Sequence, residues 1–226
     1  MYRHALLAGA VLALSMTSSA QAQLRGGRGF SIPPVVQNIM LMRAEAVQKE
    51  LALEEAQTKE ITALAAQMQS EAMEIFSGLQ DLTPEERQKE MPLVMKMITE
   101  KGKELQEKVD KVLNAKQSTR MKELSLQRRG VDALQDDTVI AELKLSDEQK
   151  KKLETVRDEI ADKQQEIIKS LTSGGGDQGQ IREKMGELRK EAGEKAMAIL
   201  TDSQREQFEK MKGPKFEFPP MQRGLF

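Results

Sequence analysis

Apolar residues in this chain recur at three- and four-residue intervals almost from end to end, and that spacing points to helices and little else. Ile61, Leu64, Met68, Ala72, Ile75, Phe76 and Leu79 trace one stripe, and Met91, Met95, Ile98, Leu105, Val109 and Val112 a second. Leu153, Val156, Ile160, Ile167 and Leu171 form a third, and Ile181, Met185, Leu188, Ala192, Ala196 and Ile199 a fourth. A 3.6-residue period predicts four long amphipathic helices of about 20 to 25 residues, roughly 30 to 37 Å each. No stretch alternates with period two, so no sheet is expected. Gly78 to Thr83 and Thr172 to Gly179 carry the glycine and turn residues expected of hairpin loops. Pro92 should either kink the second helix or mark its true start after a short turn from Pro84.

The two halves of the chain also resemble each other. VQKELALEEAQ (Val47 to Gln57) aligns with VIAELKLSDEQ (Val139 to Gln149), and LNAKQSTRM (Leu113 to Met121) with LTDSQREQF (Leu200 to Phe208). Each half reads short helix, L-x-x-x-Q, long helix, loop, long helix, L-x-x-x-Q, short helix. Gln57 and Gln117 stand 60 positions apart, Gln149 and Gln204 stand 55 apart, and the difference falls near the hairpin tips. The expected fold is therefore all-α: elongated helical hairpins with short capping helices, in two pseudo-repeats from a tandem duplication.

The repeated phrase has a local physical meaning. Ser146 before Gln149, and Thr201 before Gln204, fit a capping box, in which the cap hydroxyl accepts the third N–H and the glutamine reaches back. Thr83 and Glu86 fit a third, with Pro84 at the first helical position. Asn114 with Gln117 is a sound variant. Leu53 and Gln57 flank Glu54, a poor cap, so that corner is the least regular. A hydrophobic staple fails, because Lys150, Arg205 and Arg87 hold the position it needs. Leu145 and Leu200 are then expected to pack on the neighbouring long helix and hold the short helix at a sharp angle, and Leu113 and Leu53 begin the corresponding corner phrases of the other half.

At the N-terminus, MYRH followed by ALLAGAVLALSM and SSAQAQ reads as a secretory signal peptide over residues 1–22, too short in its apolar run to span a bilayer. Cleavage near Ala22 removes His4 and Tyr2, the only His and Tyr of a chain that has neither Cys nor Trp. No imidazole base, thiolate or His/Cys zinc site is then expected, which argues against an enzyme and against a metal or other cofactor. Carboxylate pairs such as Glu54 with Glu55 and Asp136 with Asp137 occupy polar positions and receive no acid–base role. Stability must come from packing, with no disulfide.

Charged residues make up 31% of the chain at a net charge of -1, so both signs are interspersed and neither nucleic acid nor membrane is selected. Met42 to Met95 is mainly acidic and Lys96 to Arg129 mainly basic, which suits neighbouring antiparallel helices as well as plain solvated faces. RGGRGFSIPP (Arg25 to Pro34) is read as part of a flexible leader over residues 23–33 rather than as an RNA contact. The two repeats then span 34–130 and 131–213.

These features together resemble the Spy/CpxP family of periplasmic LTxxQ-motif proteins. LKLSDEQKKKLE (Leu143 to Glu154) looks like that family's first motif and AILTDSQREQFEKM (Ala198 to Met211) like its second, with a looser copy in the other half. The resemblance implies bent helical hairpins, self-association into a cradle-shaped dimer, and activity as an ATP-independent chaperone or an inhibitory adaptor in envelope stress signalling. It implies unfolded or partly folded exported proteins as partners and a periplasmic or secreted location. The alternative is a scaffold that self-associates or binds one fixed partner.

Methionine is abundant, and Met68, Met91, Met95, Met97, Met185 and Met197 are candidates for a client-binding surface, against the plainer reading of gap-filling core. Met95-x-Met97 and Met40-x-Met42 are poor Cu(I) sites, since i and i+2 diverge on a helix. The tail, 214–226, holds Phe216 and Phe218. It is expected to be disordered, with these two rings as candidates for an internal placeholder in the client site.

Overall fold

A computed structural model describes the backbone of residues 33–173 and 178–218. The signal-peptide and leader readings, the centre of the Thr172 to Gly179 loop and the last residues of the tail lie outside the described residues. The fold is all-α, with no strand among the described residues. The helices run α1 (Pro34–Leu41), α2 (Glu45–Glu50), α3 (Glu55–Ser77), α4 (Pro84–Val112), α5 (Ala115–Arg129), a 3-10 turn (Gly130–Gln135), α6 (Asp137–Leu143), α7 (Asp147–Ser173), α8 (Gln178–Ile199) and α9 (Asp202–Met211). The four long helices sit on the four stripes, at 23, 29, 27 and 22 residues. Helix α4 opens at Pro84 and continues through Pro92.

Two compact units are distinguished, residues 155–191 and the described chain on either side of them. In the larger unit, apolar side chains gather in two clusters. The first takes Ile39, Met42, Val47, Ile61, Met68, Leu105, Val109 and Leu124, all nearly inaccessible, from α1 to α5. Helices α3 and α4 pack side by side, and α1 lies against both. Gly102 permits that approach: a Cβ there would stand 2.8 Å from Val35 Cγ1 and 3.0 Å from Val36 Cγ2. The second cluster takes Leu134, Val139, Leu143, Leu145, Leu153, Leu200 and Phe208 from the 3-10 turn onward. Bidentate bonds of 2.5 and 2.7 Å from Arg129 to Asp136 hold the start of α6 to the end of α5. In the smaller unit, Lys163 pairs with Glu191 at 2.5 Å across α7 and α8, above a nearly buried Leu188.

The short helices α2 and α6 end alike. Ala52 N–H donates to Lys49 O and Leu53 N–H to Gln48 O; Lys144 N–H donates to Ala141 O and Leu145 N–H to Ile140 O. Ala52 (φ 49°) and Lys144 (φ 52°) are left-handed, and they are the only non-glycine residues with positive φ among the described residues. This is the Schellman arrangement, whose left-handed position favours glycine. Replacing Lys144 with Gly should raise stability by about 1 kcal/mol, read as a shift of the urea midpoint, because the Cβ strain of that conformation is removed.

Candidate functional site

Each L-x-x-x-Q phrase opens a helix. Ser146 Oγ accepts from Gln149 N–H at 3.2 Å while Gln149 Oε1 accepts from Ser146 N–H at 3.0 Å. Thr201 and Gln204 make the same pair at 3.2 and 2.9 Å, and Asn114 and Gln117 at 3.0 and 2.9 Å. At the first corner, Gln57 Oε1 accepts from Glu54 N–H at 3.0 Å, so the glutamine reaches back even where a carboxylate replaces the hydroxyl. Thr83 and Glu86 cap α4, and the Thr83 hydroxyl and N–H hold the Glu86 carboxyl below the usual carboxylate range.

The glutamines also do what their spacing on one chain does not reveal: they pair. Gln57 and Gln117 exchange side-chain hydrogen bonds at 2.9 Å in both directions, and Gln149 and Gln204 do so at 2.6 and 3.2 Å. Each amide then crosses to a backbone carbonyl one residue before the partner's leucine or, for Gln204, two residues before it. Gln57 donates to Val112 O at 2.7 Å and Gln117 to Ala52 O at 3.3 Å; Gln149 donates to Ile199 O at 3.0 Å and Gln204 to Leu143 O at 3.1 Å. The same oxygen that completes a cap is the one the partner amide reaches, so capping and cross-linking share atoms. Leu113, Leu145 and Leu200 are buried beside the clasps, and Leu53 is half-buried.

The arginines that displace the hydrophobic staple have a role of their own. Arg205 donates to Leu200 O at 2.6 Å and to Met197 O at 3.0 Å, covering carbonyls at the end of α8, and it pairs with Asp202. Arg87 donates to Leu82 O at 3.2 Å at the matching place before α4. A guanidinium four residues into the helix thus bonds back to the leucine carbonyl, where a staple would have used apolar contact.

The candidate client-binding methionines are scattered by the fold. Met68 and Met91 are buried in the first core and are corrected to packing residues, since side chains closed off from solvent are not on an open surface. Met95, Met185 and Met197 are half-buried, and Met97 is open at 43%. The exposed apolar side chains of α3 and α4 are instead Met73 (63%), Phe76 (42%), Leu93 (55%) and Met97, all in the part of these helices nearer their connecting turn. Phe76 belongs to the first stripe by spacing but lies at its edge, 42% exposed. Leu93 follows Pro92 and falls outside the stripe of its helix.

The tail corrects the expectation of disorder as far as Phe218. Phe216 and Phe218 pack half-buried against the first core, edge to face at 5.0 Å, and Arg128 lies 5.4 Å from the Phe218 ring centre. In the smaller unit a groove of about 450 Å³ is lined by Ile167 and Leu188 together with Lys163, Lys184, Glu187 and Glu191. With Glu166 also on its wall, the groove carries charges of both signs, three acidic against two basic. Among the described residues no His, Cys, Asp or Glu cluster could hold a metal ion, and no helix is long and apolar enough to cross a membrane. No family model matches the chain, and neither a curated protein nor a solved structure matches it.

Proposed function

We propose that this protein is a non-enzymatic, ATP-independent holdase or stress-response adaptor of the Spy/CpxP kind, acting outside the cytoplasm on apolar segments of unfolded exported proteins. The observation that carries the reading is the set Met73, Phe76, Leu93 and Met97, large apolar side chains left open on two helices whose opposite edge is well packed. Met73 with Phe76, and Leu93 with Met97, are each about one turn apart and so share a helix face; contiguous exposed apolar patches mark binding sites, and flexible thioethers suit varied partners. The clasped corners fit the second half of the reading: they hold the ends of long helices in a fixed geometry, so the exposed apolar side chains are presented on a stiff support. The duplicated phrase and its duplicated clasp support a tandem form of the LTxxQ unit.

Light scattering of two unrelated aggregating proteins, without ATP, tests this. The purified protein should suppress both at near-stoichiometric ratios, and the variant with Met73, Phe76, Leu93 and Met97 all changed to Ser should lose most of that effect while keeping its helical circular dichroism. Suppression of neither client would move the protein to a scaffold with one fixed partner.

A further inference from the structure

Beyond Met211 the chain leaves α9, and its next residues are received by α5 in an unusually specific way. Gly213 turns the backbone with φ +62°, and a Cβ there would lie 2.1 Å from Glu123 Oε2. Gln127 Nε2 then donates to Lys212 O at 2.6 Å and to Pro214 O at 2.8 Å, while Gln127 Oε1 accepts from Phe216 N–H at 2.8 Å. Arg120 donates to Pro214 O at 2.9 Å, held in place by Glu50 at 2.7 Å and Glu123 at 2.6 Å. Half-buried Phe216 and Phe218 alternate with exposed Lys215 and Glu217, the period-two pattern of an extended segment laid on a surface.

All these polar contacts reach only backbone atoms of the tail. The side chains that engage are the two rings, which meet the edge of the first core and the Arg128 guanidinium. Apart from Gly213, whose positive φ and close approach to Glu123 call for glycine, this surface reads the tail's backbone through Gln127 and Arg120 and its side chains as aromatic at alternate positions, so it does not demand this one sequence. The half-burial of both rings also leaves the docking exchangeable.

We propose that this face of α5 is a binding groove for extended polypeptide segments with aromatic side chains two residues apart, and that the protein's own tail occupies it in cis. Its biological use rests on the holdase reading above: the tail would be displaced by a client segment of the same pattern. Tethering raises the effective concentration of the tail to the millimolar range, so a free segment competes at a disadvantage until the anchors are removed.

The test uses a fluorescent peptide of Lys212 to Phe218 and the full chain, either wild type or with Phe216→Ala and Phe218→Ala. The anchor-less chain should bind the peptide at least about ten-fold more tightly than wild type. Adding Gln127→Ala should abolish that gain, and a peptide with both Phe changed to Ala should not bind. Equal binding by the two chains, or equal binding of the Ala peptide, overturns the proposal. A second measurement needs no variant: the Phe216 amide in the wild-type chain should exchange slowly, and millimolar free peptide should accelerate it, whereas no acceleration overturns the groove. If the peptide binds as expected while neither chain slows aggregation of unrelated proteins, the groove stands and the holdase reading falls.

Discussion

Replacing Phe208 with Ala should destabilise the larger unit by about 3 to 5 kcal/mol, seen as a large fall in the urea midpoint. Phe208 is 1% exposed and the largest of the fully buried side chains. It is also the only buried residue of α9, a helix of 10 residues. A helix that short has little stability of its own in water and depends on its packed face. Truncating the ring leaves a cavity among Leu143, Leu145, Leu200 and their neighbours in the second core. The Lys212 ammonium, 5.0 Å from the ring centre, loses its aromatic contact and keeps Glu209, at 2.6 Å. Because Gln204 lies on α9 and the tail follows it, the second clasp and the docking of Phe216 should weaken in the same transition. A loss below about 1 kcal/mol would mean that α9 is held by its polar contacts instead.

Gln117→Ala should cost about 2 to 3 kcal/mol, because it orphans groups on both sides of the first corner. Gln57 would lose its amide partner, Ala52 O its donor and Asn114 N–H its acceptor. Gln117 is 6% exposed, so water is poorly placed to substitute. Gln57→Ala in the same background should cost much less than it does alone, with a coupling of about 0.5 to 3 kcal/mol in a double-mutant cycle. Gln204→Ala should be milder than Gln117→Ala, since Gln149 and Gln204 are both only half-buried. Equal costs at the two corners, or additivity of Gln57 and Gln117, would show that the glutamines act only as caps.

Much of the local structure was legible in the residues, for a physical reason. Helix period, capping boxes and the αL stop after a short helix are governed by neighbours within four or five positions, so the stripes, Ser146 with Gln149, and Thr201 with Gln204 could be placed by reading along the chain. The failure of the staple was legible too, but not what Arg205 and Arg87 do in its place, since their acceptors depend on how the preceding helix ends. Along the chain, Gln57 and Gln117 are simply two caps. That they are one clasp required knowing that α3 and α4 bring residues 60 apart together.

The methionines and the tail show the same divide more sharply. Met68 and Met97 are chemically identical and both lie on amphipathic helices, yet one is sealed and the other open at 43%. Met68 shares its helical face with the buried Leu64 and Ala65, whereas Met97 stands off the face that carries the buried Val94 and Ile98. Nothing in GPKFEF announces that Gln127 will hold it, because its partners lie 85 to 89 positions upstream. Local energies, repeated along the chain, set which residues are helical and where each helix starts. Only the packing of distant helices decided which apolar side chains remain exposed, which glutamines meet, and where the tail comes to rest, because burial is settled by how much surface the neighbours remove from water.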